Sequence, residues 1–117
     1  MKIFKLKDAK ETPKTGFILK TLAEVKLGQK VSSVGFFRPD VPANGTLRNH
    51  YHENLTEFMI FLNPTKIKIG SEVFDLAPGD LAVIPPGEGH EVLAGPEGTM
   101  PVVIKLPNNP EDTKYPG

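Results

Sequence analysis

A chain of 117 residues without a break in composition is enough for one domain and too short for two. Fourteen Lys and Arg balance fourteen Asp and Glu, so no long-range field draws the protein to nucleic acid or an anionic membrane, and a small-molecule ligand is the expected partner. With no cysteine there are no disulfides, thiolate nucleophiles or thiolate metal ligands, and any metal must use His, Asp and Glu.

In chain order, Met1 to Lys10 mixes charge with hydrophobes and lacks the apolar run of a signal peptide. Nowhere is there a stretch of about 18 apolar residues to span a bilayer, so a cytoplasmic, soluble protein is expected. Met1 to Leu6 alternates lysine with apolar positions as an edge strand does, and an open edge invites a second copy, so a homodimer is expected. Twelve prolines and eleven glycines are scattered along the chain and leave little room for helix. Ala9 to Lys14 and Leu19 to Leu27 are the two stretches where a brief helix fits.

From Val31 onward, β-branched and aromatic residues gather in short runs bounded by Gly, Pro, Asn or Asp. The runs are Val31 to Phe37, Phe58 to Leu62, Lys66 to Ile69, Glu72 to Leu76, Leu81 to Ile84, His90 to Leu93 and Val102 to Leu106. This pattern predicts an all-β sandwich or barrel. Gly70-Ser71 predicts a two-residue hairpin turn, with Ile67, Ile69 and Val73 on its buried face. Pro78-Gly79-Asp80 and Pro85-Pro86-Gly87 are further turns. The polar, Pro-rich tail from 107 to 117 is expected to fray unless it packs on a partner.

The three histidines fall in two short segments rich in turn signals. On a strand, His50 and His52 project to one face, roughly 6 to 7 Å apart at Cα, so both can meet one ion. Glu57 follows five residues later, and His90 follows a turn able to bring a third imidazole opposite the pair. Three imidazoles and one carboxylate suit one divalent first-row transition ion, Mn, Fe, Co, Ni, Cu or Zn, and suit Ca or Mg poorly. A lone strand histidine is more often a hydrogen-bonded structural residue than a ligand, and a lone strand glutamate is a solvated charge. The argument for a metal rests on all four residues together.

These segments resemble the two motifs of the cupin superfamily. Gly45, His50, His52 and Glu57 follow the first, and Gly79, Pro85, Gly87 and His90 follow the second. The chain departs from the pattern at three places: Gly45 is one residue close to His50, Pro64 replaces a closing Gly, and Ala94 replaces a final Asn. The resemblance implies one small cupin domain over residues 1–117, folded as a double-stranded β-helix or jelly-roll barrel, with His50, His52, Glu57 and His90 as metal ligands.

Strand parity extends the site. Met59 and Phe61 share the face of Glu57, Arg48 that of His50, and Val92 that of His90, so an apolar substrate pocket with one cation is expected from Arg48, Met59, Phe61 and Val92. Arg48 in such a place binds a substrate carboxylate or phosphate, or else lies along the surface with its head in water. Cupins serve many chemistries. The expectation is therefore a metal-dependent protein, as an enzyme of dioxygenase or isomerase type acting on a small organic molecule, or as a non-catalytic metal- or ligand-binding module.

Overall fold

The structure, a computed structural model, describes residues 1–28 and 30–116. The strands are β1 (Lys2–Phe4), β2 (Lys10–Lys14), β3 (Phe17–Thr21), β4 (Gly35–Phe37), β5 (Thr46–His50) and β6 (Thr56–Ile60). They continue as β7 (Thr65–Ile69), β8 (Glu72–Leu76), β9 (Leu81–Ile84), β10 (His90–Ala94) and β11 (Val102–Leu106). A single 3-10 turn, Leu6–Asp8, follows β1. No helix among the described residues is long and apolar enough to cross a membrane.

Two antiparallel sheets form the body, one in the order β1-β9-β6-β11-β4 and the other β5-β10-β7-β8. The chain passes from sheet to sheet after β4, β5, β6, β8, β9 and β10. This alternation makes a jelly roll, and it explains why short strands are separated by so many turn residues. Met59, Phe61, Ala82, Ile84 and Val103 from the first sheet meet Ile67, Leu76 and Val92 from the second, all of them buried. The Phe61 side chain is wholly buried at the centre of this apolar layer.

The β7–β8 hairpin forms as its sequence predicts, with Gly70 at φ 60° where a side chain would be disfavoured. One expectation within it fails. Ile69 pairs with Glu72 and Ile67 with Phe74, so Val73 faces outward and is exposed while Leu76 closes the core. A two-residue loop places odd-numbered positions opposite even-numbered ones, and the buried face therefore changes parity across the turn.

Neither stretch read as a brief helix is helical. Lys10–Lys14 pairs with Phe17–Thr21 as a separate two-stranded sheet. Pro13 inside the first segment lacks the N–H that a helix interior needs, and Gly16 at φ 85° closes a tight turn. Residues 22 to 27 carry neither helix nor strand. Of the run from Val31 to Phe37, only Gly35–Phe37 joins a sheet, as the partner of β11.

Candidate metal centre

His50 closes β5 and His90 opens β10, and the two are directly paired in the ladder. That register brings their ring centres to 4.3 Å, while His52 lies 5.2 Å from His50 and 5.8 Å from His90. Glu57 reaches the same point from β6 in the opposite sheet. The four potential ligand atoms all lie within 4.8 Å of one another. His52, Glu57 and His90 are buried and His50 is half-buried, so the group opens to solvent on the side of His50. The turn before His90 is held to the first histidine segment, because the Gly87 N–H donates to the His52 carbonyl at 2.6 Å.

Each imidazole is oriented by a backbone carbonyl. Nδ1 of His50 lies 2.8 Å from the Arg48 oxygen, Nδ1 of His52 2.6 Å from that of Asp112, and Nδ1 of His90 3.1 Å from that of Glu88. A carbonyl only accepts, so each Nδ1 carries the proton and each Nε2 keeps a lone pair for the centre of the group, as a metal-binding imidazole requires. Two of these Nε2 atoms face the Glu57 carboxylate, His90 at 3.0 Å from Oε1 and His52 at 3.5 Å from Oε2. The His52 Nε2 is buried without a hydrogen-bond partner. A bare nitrogen lone pair turned toward a buried carboxylate is costly unless a proton or a cation lies between them. One divalent cation satisfies all four groups together, so the donor set fits a transition ion.

The electrostatics agree. Burial alone would raise the Glu57 carboxyl, but the imidazoles of His52 and His90 facing it outweigh burial and hold the group well below the ordinary carboxylate range. His50 is lowered, chiefly by burial, with His90 and His52 adding to the effect. Burial also acts to lower His52, but Glu57 and the Asp112 carbonyl overcome it and raise the group. The pocket thus favours an anionic carboxylate facing positive charge.

The ligands form one end of a cavity of about 410 Å³. Of the four expected pocket residues, Arg48 and Met59 line it. Phe61 and Val92 point inward as parity requires, but each sits one strand repeat deeper, in the hydrophobic core beneath the ligands. They support the floor and do not form the wall. Arg48 also departs from parity. The register shifts between His50 and Leu47 opposite β10, so Leu47 takes the inward place opposite Val92. Arg48 is left exposed at the rim, its guanidinium carbon 3.7 Å from the centre of the Tyr115 ring.

Tyr115 belongs to the tail that was expected to fray. Instead Lys114 pairs with Tyr51 through two backbone hydrogen bonds of 2.9 Å. The buried carboxylate of Asp112 accepts the N–H groups of Glu53 at 2.8 Å and Asn54 at 2.7 Å. Tail residues therefore orient His52 and wall the cavity, which composition alone does not reveal. Sequence reasoning also missed Lys105, which lies directly opposite Glu57 in the β6–β11 ladder with Nζ 3.9 Å from Oε2.

No protein-family model and no curated protein matches the chain. Solved structures do. A conserved protein with a double-stranded β-helix domain from Klebsiella pneumoniae superposes with TM-score 0.62 at 19% identity, over 69% of each chain. A sugar phosphate isomerase of the cupin superfamily from Silicibacter pomeroyi gives 0.58 at 19% identity, over 68% of this chain and 53% of its own. A Streptomyces protein solved with uridine gives 0.58 at 17% identity, over 97% of this chain and 89% of its own. The chain spans about half the length of the isomerase it resembles. The fold is the double-stranded β-helix of the cupins, and at these identities the likeness carries the fold and no activity.

Proposed function

We propose that this is a metal-dependent cupin acting on a small organic molecule, with one divalent first-row transition ion held by His50, His52, Glu57 and His90. The observation that carries the reading is the shared orientation of the three imidazoles, each fixed through Nδ1 so that Nε2 is left for the centre of the group, two of them facing the buried Glu57 carboxylate, beside a cavity of ligand size. Four protein ligands leave one or two positions on a five- or six-coordinate ion, and when bound the ion supplies Lewis acidity toward an oxygen of the molecule seated there. Met59, Leu47 and Val103 limit water on one side of that space. Isomerase and dioxygenase chemistry both suit such a site, and the isomerase among the similar folds is a reason to assay the former first.

Elemental analysis of protein loaded with each of Mn, Fe, Co, Ni, Cu and Zn tests the centre. About one equivalent per chain is expected for at least one ion, and replacement of any of the four ligands by Ala should reduce it. If no ion is retained, the proposal fails. Azide added to the cobalt-loaded protein tests the open position. An unchanged visible spectrum would mark a closed site and favour a non-catalytic metal-binding module instead.

A further inference from the structure

The wall beside the metal ligands carries charge of one sign. Lys105 stands across the ladder from Glu57, and Phe37 lies beneath its ammonium with the ring centre at 5.0 Å. The side chain is only 21% exposed. The guanidinium carbon of Arg48 lies over Tyr115, whose ring centre is 6.1 Å from that of His50. Arg38 donates from Nε to the Met100 and Pro101 carbonyls at 3.2 Å and from Nη2 to the Met100 carbonyl at 2.7 Å, which fixes the guanidinium while Nη1 has no partner among the described residues. All three cations line the cavity, and Glu57 is its one carboxylate among the described residues. This imbalance occurs in a chain whose formal net charge is zero.

Glu57 is a poor counter-ion for Lys105. The distance of 3.9 Å is at the limit of an ion pair, and both carboxylate oxygens are committed to His52 and His90. With a divalent ion on Glu57, its negative charge is more than neutralised, and the ammonium of a largely buried lysine is left beside a cation. Two like charges at that range repel unless an anion enters between them.

We infer that this cavity is built for a small organic anion, a carboxylate or a phosphate ester, bound through Lys105 and Arg48 with Arg38 as the outer contact. The inference rests on the metal reading above for the second oxygen of that ligand and on the chain's own cations for the charge. The guanidinium of Arg48 presents its remaining donors in the fork that suits both anion types, and stacking on Tyr115 holds that fork in place before the ligand arrives. A volume of about 410 Å³ suits a small molecule and excludes a folded partner.

Calorimetric titration of the zinc-loaded protein with malonate, its neutral counterpart malonamide and inorganic phosphate tests the assignment. Malonate or phosphate should bind at least about tenfold more tightly than malonamide, and Lys105→Met and Arg48→Gln should each weaken the anion by about tenfold or more with zinc content unchanged. Lys66→Met, which removes a cation paired with Asp75 on an exposed strand face, should leave binding as it was. Lys105→Arg keeps the charge and should restore most of the affinity, which separates lost charge from a damaged fold. Tighter malonate assigns a carboxylic acid, and tighter phosphate assigns a phosphate ester. Malonamide binding as well as malonate, or both charge-removing variants binding like the unmodified protein, would overturn the inference. Repeating the titration on protein that has retained no zinc after loading separates the two readings. A chain that keeps no metal but still loses malonate on Lys105→Met overturns the metal reading alone, whereas a zinc-loaded chain indifferent to these variants overturns the anion reading alone.

Discussion

Asp112 joins two jobs in one residue. Its carboxylate closes the loop after His52 by taking two N–H groups, and its carbonyl sets the tautomer of His52. Asp112→Ala removes the buried carboxylate that accepts both N–H groups, and the expected cost is about 1–2 kcal/mol in urea denaturation of the metal-free protein. The same change should weaken metal binding by about tenfold or more in competition with a chelator, because a misplaced imidazole is a poorer ligand. Full retention of both properties would show that the tail does not orient His52. Phe61 gives the contrasting case. It is wholly buried at the floor of the site, so Phe61→Ala should cost about 3–5 kcal/mol through the cavity it leaves, while the folded fraction still binds metal in full.

At the scale of elements, Asp80 shows how a turn carries a titratable anchor. It lies in the turn before β9 and accepts N–H groups from Ala77 at 2.7 Å and Leu6 at 3.0 Å, with the Lys5 ammonium at 3.0 Å. Burial opposes its ionisation, but these donors and the charge of Lys5 outweigh burial, so its folded value is below the ordinary 3.8. The unfolded chain then takes up the proton more readily. The stabilisation is therefore complete above the ordinary value and is lost as pH falls through the folded one. Urea midpoints measured from pH 6 down to 2.5 should fall on the acid side, and Asp80→Asn should be less stable at pH 6 with a shallower acid limb. An acid limb identical to that of the unmodified protein would show that Asp80 does not anchor β1. The same anchoring revises the reading of Met1 to Leu6, since β1 is an edge strand already paired on one side with β9 of its own chain.

Over the whole molecule, the radius of gyration is 14.7 Å and the extents are 51 × 38 × 23 Å, longer than a compact chain of this size, for which about 13 Å is usual. The β2–β3 hairpin pairs with no other strand among the described residues, and Phe17, Ile18 and Leu19 on it are exposed. Phe36 on the edge strand β4 is 69% exposed. Apolar side chains on two open edges support the expected homodimer more directly than the first residues do. Light scattering at micromolar concentration should give twice the 12.8 kDa of one chain. A mass of one chain would remove the homodimer, and Phe17→Lys with Leu19→Lys should produce that mass if the hairpin is the contact.

What the sequence determines by itself is what local periodicity and residue chemistry can express. The alternation along Glu57, Met59 and Phe61 assigns one face of β6, the turn residues mark where strands stop, and His50, His52, Glu57 and His90 carry donors for one kind of ion. The inversion of parity at Gly70-Ser71, which turns Val73 outward, was also legible there, because a two-residue loop fixes it. Only the tertiary structure decides what depends on register between distant strands. Nothing local places Lys105 opposite Glu57, shifts β5 so that Leu47 displaces Arg48 from the inner face, or sinks Phe61 and Val92 beneath the cavity. Nor does a polar tail announce that Asp112 will hold His52 and Tyr115 will carry Arg48. Those contacts close long loops, and their geometry is set by packing of the whole barrel rather than by the preference of any segment.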